Sequence, residues 1–154
     1  MVAVATGGDA DAEECALAEM VGRELARRGA VLLCGGLGGG MEAACRGAKE
    51  AGGTTVGILP GAQRLDANPY VDIALATGLG EARNALVVRA ADALIAVAGE
   101  FGTLSEIALA LRTGTPVVGL ATWQLSKKGE PVDAFPQVET AIDAVEIALA
   151  IRKR

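Results

Sequence analysis

The chain has 154 residues, of which 51% are hydrophobic and only 3% aromatic, with a net charge of −5 and a pI near 4.8. That length suits one domain, 1–154, whose core is packed from Ala, Val, Leu and Ile. An acidic chain with four lysines and two phenylalanines offers no basic, aromatic surface, so no nucleic-acid partner is expected. The absence of histidine excludes Ser-His-Asp and Cys-His catalysis and removes the commonest metal ligand, and no metal site is expected.

Residues 1–6 read as a short apolar strand that ends in a first glycine turn, Thr6-Gly7-Gly8-Asp9. A helix follows over 11–28, with Leu17, Met20, Val21 and Leu25 at helical spacing, acids early and Arg27 and Arg28 late. Residues 30–34 carry no polar side chain, as a strand buried on both faces would. The second glycine turn, Gly35-Gly36-Leu37-Gly38-Gly39-Gly40, leads into a helix over 41–51, and a third strand covers 54–60. Residues 63–69 are polar, with the composition of a loop able to lie over a site. A short strand over 71–77 precedes Gly78-Leu79-Gly80, which opens a helix running to about Ala91.

The most informative stretch is 91–120. An apolar run over 93–98 stops at Gly99-Glu100-Phe101-Gly102, and a helical pattern runs from Thr103 to Arg112. Gly114 ends the helix, and a further strand starts at Val117. This is a βαβ unit. Residues 123–131 read as a polar, exposed connection. The last helix is expected to start at Asp133 or Ala134, with Pro136 in its first turn and Val138, Ile142, Val145 and Leu149 as its apolar stripe. The basic tail Arg152-Lys153-Arg154 suits a helix C-terminus.

Alternating strands and helices predict an α/β fold: a three-layer Rossmann-like domain with a mostly parallel sheet and helices on both faces. No apolar run is long enough to span a bilayer, and the N-terminus has no basic region before an apolar one. A cytoplasmic protein without a membrane partner is the expectation. Cys15, Cys34 and Cys45 are odd in number and lack CxxC spacing, so they read as reduced, mostly buried hydrophobes. Cys34, at a strand end, is the one placed to line a site, although the core reading is favoured.

In a parallel sheet the four turns near Gly7, Gly35–Gly40, Gly78–Gly80 and Gly99–Gly102 share one edge. Their N–H groups and helix N-termini suit a phosphate. A dinucleotide fingerprint does not fit: with Gly36 and Gly38 in its first two positions, the last falls on Met41, and the third strand ends in Leu59-Pro60 rather than an acid. No Gly-Lys-Ser/Thr occurs, which excludes a P-loop. Arg83, in the first turn of its helix, reads either as a surface arginine paired with Glu81 or as a phosphate or carboxylate clamp with Asn84 beside it. Thr103 and Glu106 have capping-box spacing; the alternative is that Glu106 joins Arg83 at the site.

With these residues together, the sequence resembles the LOG-like superfamily, often labelled "lysine decarboxylase-like", whose hallmark is PGGxGTxxE. Here it reads Ala98-Gly99-Glu100-Phe101-Gly102-Thr103-Leu104-Ser105-Glu106, preceded in order by Gly35-Gly36 with Gly39-Gly40-Met41, then Gly57-Ile58-Leu59-Pro60-Gly61, then Arg83-Asn84. The wording of Glu81-Ala82-Arg83-Asn84 and of the stretch from Gly102 to Leu111 is similar to the short branch of molybdenum-cofactor carrier-like proteins. The resemblance implies a phosphate-binding site from Thr6, Gly7, Gly8, Gly35, Gly36, Gly39, Gly40, Met41, Pro60, Arg83, Asn84, Gly99, Glu100, Gly102, Thr103 and Glu106.

The resemblance also implies a homodimer or higher homo-oligomer with the site near the interface; Ile107, Ala108 and Leu111 are candidates for the contact. The carrier branch implies a small phosphorylated ligand, with the molybdenum cofactor as carried cargo. The enzymatic branch hydrolyses cytokinin riboside 5′-monophosphates to free base and ribose 5-phosphate without a catalytic cofactor. Its arginine and glutamate correspond to Arg83 and Glu106. Ala98 replaces the motif proline, and Glu100 a glycine; a carboxylate there repels phosphate unless it points away or pairs with Arg83. Asn84 stands where the enzymatic branch usually has lysine. A pyridoxal phosphate decarboxylase would need a Schiff-base lysine, and none of Lys49, Lys127, Lys128 and Lys153 is at a strand end facing the turns. The readings that remain are a carrier, a phosphoribohydrolase and, third, a nucleotide-sensing domain.

Overall fold

The computed structural model describes residues 1–152. Seven strands form one sheet: β1 (Val2–Ala5), β2 (Leu32–Cys34), β3 (Thr55–Leu59), β4 (Ile73–Ala76), β5 (Ala93–Val97), β6 (Val117–Leu120) and, after a separate antiparallel hairpin of β7 (Leu125–Lys127) and β8 (Glu130–Val132), β9 (Gln137–Val138). The order is β4-β3-β2-β1-β5-β6-β9 and every neighbouring pair is parallel. The expected α/β architecture is thus present.

Side chains that alternate along each strand divide the core between two faces. Val2, Val4, Leu32, Cys34, Ile95, Val97 and Leu120 pack beneath α1 (Ala12–Arg27), α2 (Gly40–Glu50) and α5 (Ala141–Ile151). Ala3, Ala5, Leu33, Leu94 and Ala96 pack beneath α3 (Asn84–Ala90) and α4 (Phe101–Thr113). The strand order reverses direction between β1 and β5. Ligands of open α/β sheets bind outside the carboxyl ends of the strands at such a switch point.

Local chemistry sets the helix starts. Asp11 caps α1 by accepting from the Glu13 and Glu14 N–H groups, and Glu14 Oε2 accepts from the Asp11 N–H at 3.0 Å. The buried stripe of α1 is Ala18, Val21, Gly22 and Leu25; Met20, expected on it, is exposed. Where α1 crosses α2 the approach is close: a Cβ at Gly22 would collide with the Ala44 carbonyl, and one at Gly47 with the Glu19 carbonyl. Small residues hold that contact, and Met20 lies away from it, beside Ala141 and Ile142 of α5.

The polar connection over 123–131 is largely exposed, as expected, and it carries most of the β7–β8 hairpin. One expectation near the C-terminus is corrected. The last helix starts at Ala141, not at 133–134, and Pro136 lies outside it. The Gly119 N–H donates to the Pro136 carbonyl, which draws Gln137–Val138 into the sheet as β9, and Thr140 caps the helix by accepting from the Asp143 N–H. Val138 is therefore a strand residue and Ile142 is exposed; Ala141, Ala144, Val145 and Ala148 are buried instead. Lys153 and Arg154 of the basic tail lie outside the described residues.

Candidate functional site

A cleft of about 160 Å³ opens at the switch point, above the carboxyl ends of β2, β1 and β5. Its wall carries Thr6, Gly7 and Gly8 after β1, Gly35 and Met41 around the second turn, Arg83 and Asn84, and Glu100, Gly102, Thr103 and Glu106 from the last turn. Turns far apart in the chain converge because a parallel sheet puts the ends of all its strands on one edge.

Arg83 is not the surface arginine of the alternative reading. It is only 9% exposed, with no ion pair to Glu81 among the described residues, and its Nε is buried without a partner. It ends a short 3₁₀ turn (Gly80–Arg83) and reaches over Gly35, where any Cβ would collide with Nη1 and with the Met41 sulfur. Gly35 is thus the vacancy that admits the guanidinium. Beside it, Asn84 Nδ2 donates to Ser105 Oγ at 2.8 Å, and that hydroxyl donates to the Gly102 carbonyl at 2.8 Å. This chain ties the arginine turn to the last glycine turn. Ser105 lies inside the motif, but only its contact in space reveals its part.

The capping box is absent from α4. The helix starts at Phe101, two residues before the expected position, with Glu100 as N-cap and no side-chain cap. Thr103 and Glu106 therefore sit inside the helix, one turn apart on its buried face. Thr103 Oγ1 is buried and unpartnered, as is Thr6 Oγ1 on the facing turn. Glu106 is 6% exposed and makes no hydrogen bond among the described residues. Burial pushes its pKa up from 4.5 to about 7, against the opposing pull of the Arg83 charge. At neutral pH this carboxyl therefore accepts or gives up a proton readily.

Five of the expected residues do not line the cleft. Gly36 (φ 76°) packs on Gly57 and Leu59, and Gly39 (φ 62°) lies against the Gly7 and Gly8 carbonyls. The Gly40 N–H donates to the Gly7 carbonyl at 3.0 Å, while the Pro60 carbonyl accepts from the Gly80 N–H at 3.0 Å. Gly99 packs on Thr103. These residues pack the turns together, and hydrogen bonds within the protein engage the Gly40 N–H and the Gly36, Gly39 and Pro60 carbonyls. The loop over 63–69 does not cover the cleft; its Asn68 pins the second turn, its N–H donating to the Gly36 carbonyl and its Nδ2 to the Leu37 carbonyl. Cys34 also lies off the cleft, 3.5 Å from Cys45 Sγ, and that neighbour together with burial holds its thiol well above the usual range. Glu100 is exposed on the cleft rim and unpaired with Arg83.

The sequence profile of the SLOG cluster4 family matches residues 1–150. The chain belongs to that family. This SLOG cluster4 chain is similar in structure to the molybdenum cofactor binding protein of the phototrophic bacterium Rippkaea orientalis, with 34% identity, a TM-score of 0.86, and 97% of this chain and 94% of the other covered. It is also similar to the molybdenum cofactor carrier protein of Chlamydomonas reinhardtii, with 32% identity, a TM-score of 0.83, and 97% and 96% covered. An uncharacterised protein of Archaeoglobus fulgidus is 47% identical over 119 residues, 77% of this chain and 78% of that protein.

Proposed function

We propose that this protein binds a phosphate-bearing cofactor and carries it, in the manner of a molybdenum cofactor carrier. One observation bears most weight. The Arg83 Nε and the Thr6 and Thr103 hydroxyls are buried, have no protein partner, and belong to residues lining one cleft. Buried polar groups without partners cost roughly 1–3 kcal/mol each. Donors left in that state are matched to an anionic ligand, with Arg83 as the bidentate clamp and the uncapped first turn of α4 adding N–H groups and a favourable dipole. The similarity to two proteins described as molybdenum cofactor binders or carriers supports the cargo. The molybdenum cofactor would be cargo, its phosphate held by Arg83, Thr6, Thr103 and the amides of the last turn.

A hydrolase reading is favoured by Glu106 alone. Its half-protonated, buried carboxyl faces the cleft in which a nucleoside 5′-monophosphate would sit. Two measurements separate the readings. Equilibrium dialysis against released molybdenum cofactor is expected to show retention that is lost in Arg83→Ala. Incubation with a panel of nucleoside 5′-monophosphates is expected to release no free base. Base release abolished by Glu106→Gln would establish the hydrolase instead.

The reading includes a cytoplasmic location, consistent with the free thiols Cys34 and Cys45 in contact without a disulfide. It also includes a homo-oligomer. Ile107 packs on the sheet, which leaves Ala108 and Leu111 as the exposed candidates on α4; Leu86 on α3 and Ile73 and Leu75 on edge strand β4 are further exposed apolar side chains that such a contact could cover. A clean monomer in gel filtration would refute it.

A further inference from the structure

Beside the phosphate cleft, along the same sheet edge, lies a second cleft over the carboxyl ends of β5 and β6. Its floor is Ala98, Gly99, Ala121 and Thr122, and its walls are Glu14 and Trp123. The floor is strained: Ala98 and Ala121, neither a glycine, hold φ of 47° and 51°. L-residues with side chains keep such angles only where the surrounding structure imposes them, and such positions cluster at ligand sites. Here the imposing contact is a hydrogen bond of 2.5 Å from Thr122 Oγ1 to the Ala98 carbonyl, which ties the two strand ends together.

Between the clefts stands Phe101. It follows Glu100 and precedes Gly102, both on the phosphate cleft, and its ring reaches toward Trp123, which lines the second cleft. The ring centroids are 5.6 Å apart at an interplanar angle of 39°. In a chain with one tryptophan and two phenylalanines, Phe101 is left 75% exposed beside that tryptophan. Trp123 is anchored through its backbone, its carbonyl accepting from Gln137 Nε2 at 3.0 Å, and its indole N–H is buried without an acceptor. An exposed aromatic face beside an unsatisfied ring donor is poorly suited to water and well suited to a flat ring carrying an acceptor on its edge.

We propose that Phe101 and Trp123 form the seat for the ring system of the carried ligand, a fused bicyclic heterocycle with a ring carbonyl, of purine or pterin type. The proposal rests on the phosphate reading above, because the ring is placed by the phosphate next door. Neighbouring strands lie about 4.8 Å apart, so the step from the turn after β1 to the cleft over β5 and β6 is roughly 5–10 Å. A sugar or a fused pyran ring bridges such a gap between a phosphate and a heterocycle. The direction of the ligand follows: phosphate toward Arg83, ring toward β6.

The test uses the full-length protein, guanosine 5′-monophosphate, which carries phosphate, ring and ring carbonyl, and ribose 5-phosphate, which carries only the phosphate and sugar. Trp123 is the sole tryptophan, so its fluorescence reports on the seat alone. The nucleotide is expected to quench that emission and ribose 5-phosphate to leave it unchanged. Phe101→Ala, at a largely exposed position, should weaken the nucleotide about tenfold, as loss of one base–aromatic contact does, and shift ribose 5-phosphate less than twofold. Phe101→Tyr should restore nucleotide binding. Equal affinity for both ligands, with no quenching and no effect of Phe101→Ala, would overturn the aromatic seat while leaving the phosphate cleft intact. Binding of neither ligand, in a protein that also fails to retain molybdenum cofactor, would overturn the phosphate reading and the seat with it.

Discussion

Glu19 and Glu106 are both helix carboxylates turned toward another element, and they meet opposite environments. Glu19, where α1 packs on α2, accepts from Arg46 Nη2 at 2.6 Å and Arg23 Nη2 at 2.8 Å, and Arg23 continues to Glu50 at 2.5 Å. The Arg46 hydrogen bond leads in holding Glu19 below the usual carboxylate range. Glu106 is more deeply buried, shares its cleft with an arginine, and has no hydrogen bond, so burial drives its pKa the other way. The first region uses charge to join two helices and leaves nothing for a ligand. The second leaves a cation, a carboxyl and two hydroxyls unspent. In this fold the mark of a site is unsatisfied polar chemistry, not the glycines that surround it.

The sharpest way to break that contrast is Arg83→Ala. Removing the clamp should weaken a phosphate-bearing ligand by roughly a hundredfold to a thousandfold, about 3–4 kcal/mol, as loss of one partner of a buried charge pair does. Because the Arg83 Nε is buried without a hydrogen-bond partner and the arginine's charge only partly offsets the burial of Glu106, the same change should lower the thermal midpoint of the unliganded protein by little. Calorimetric titration and thermal unfolding read the two effects.

Glu106→Gln follows. A carboxyl moved from 4.5 to about 7 in the fold binds its proton more tightly folded than unfolded. Its stability contribution is therefore greatest below pH 4.5, falls as the pH rises to about 7, and stays low above that. The penalty amounts to about 3 kcal/mol at most. The variant should be more stable than the parent at pH 8 by about 1–3 kcal/mol and nearly equal at pH 4.5. Urea unfolding at both pH values measures this, and the difference between the two proteins cancels the opposite contribution of paired acids such as Glu19 and Asp72. A gap that is the same at both pH values would show that Glu106 does not titrate in this range.

Glu100→Gly should sharpen the comparison more gently. The rim carboxylate is exposed, so its repulsion of a bound phosphate is screened by water and salt. Affinity should rise about threefold to tenfold at low ionic strength, and the gain should shrink in high salt. The smallest effect belongs to the control, Arg46→Ala on the paired surface: a loss of less than about 1 kcal/mol and no change in ligand binding.

Much of the fold was legible before the structure. The apolar stretches 30–34 and 93–98, the early acids of α1 and the glycines at strand ends are local signals; β2 and β5 fall within those stretches, and α1 begins one residue after Asp11, which caps it. The last helix was misplaced because Phe135-Pro136 looks like a helix start. Only the hydrogen bond from Gly119, a residue distant in sequence, turns Gln137–Val138 into an edge strand. The capping box failed for a related reason. Thr-x-x-Glu is a start signal only if the helix begins there, and α4 begins at Phe101.

By itself, the sequence determined the alternation of strand and helix, the sheet edge on which the turns gather, and the residues of the motif, because these depend on neighbours along the chain. Only the tertiary structure decided how those residues divide. It spends Gly36, Gly39, Gly40 and Gly99 on packing, buries Arg83 over Gly35, and aligns Phe101 with Trp123. Whether a polar group is free for a ligand depends on every acceptor within reach, and most of those come from strands far away in the chain.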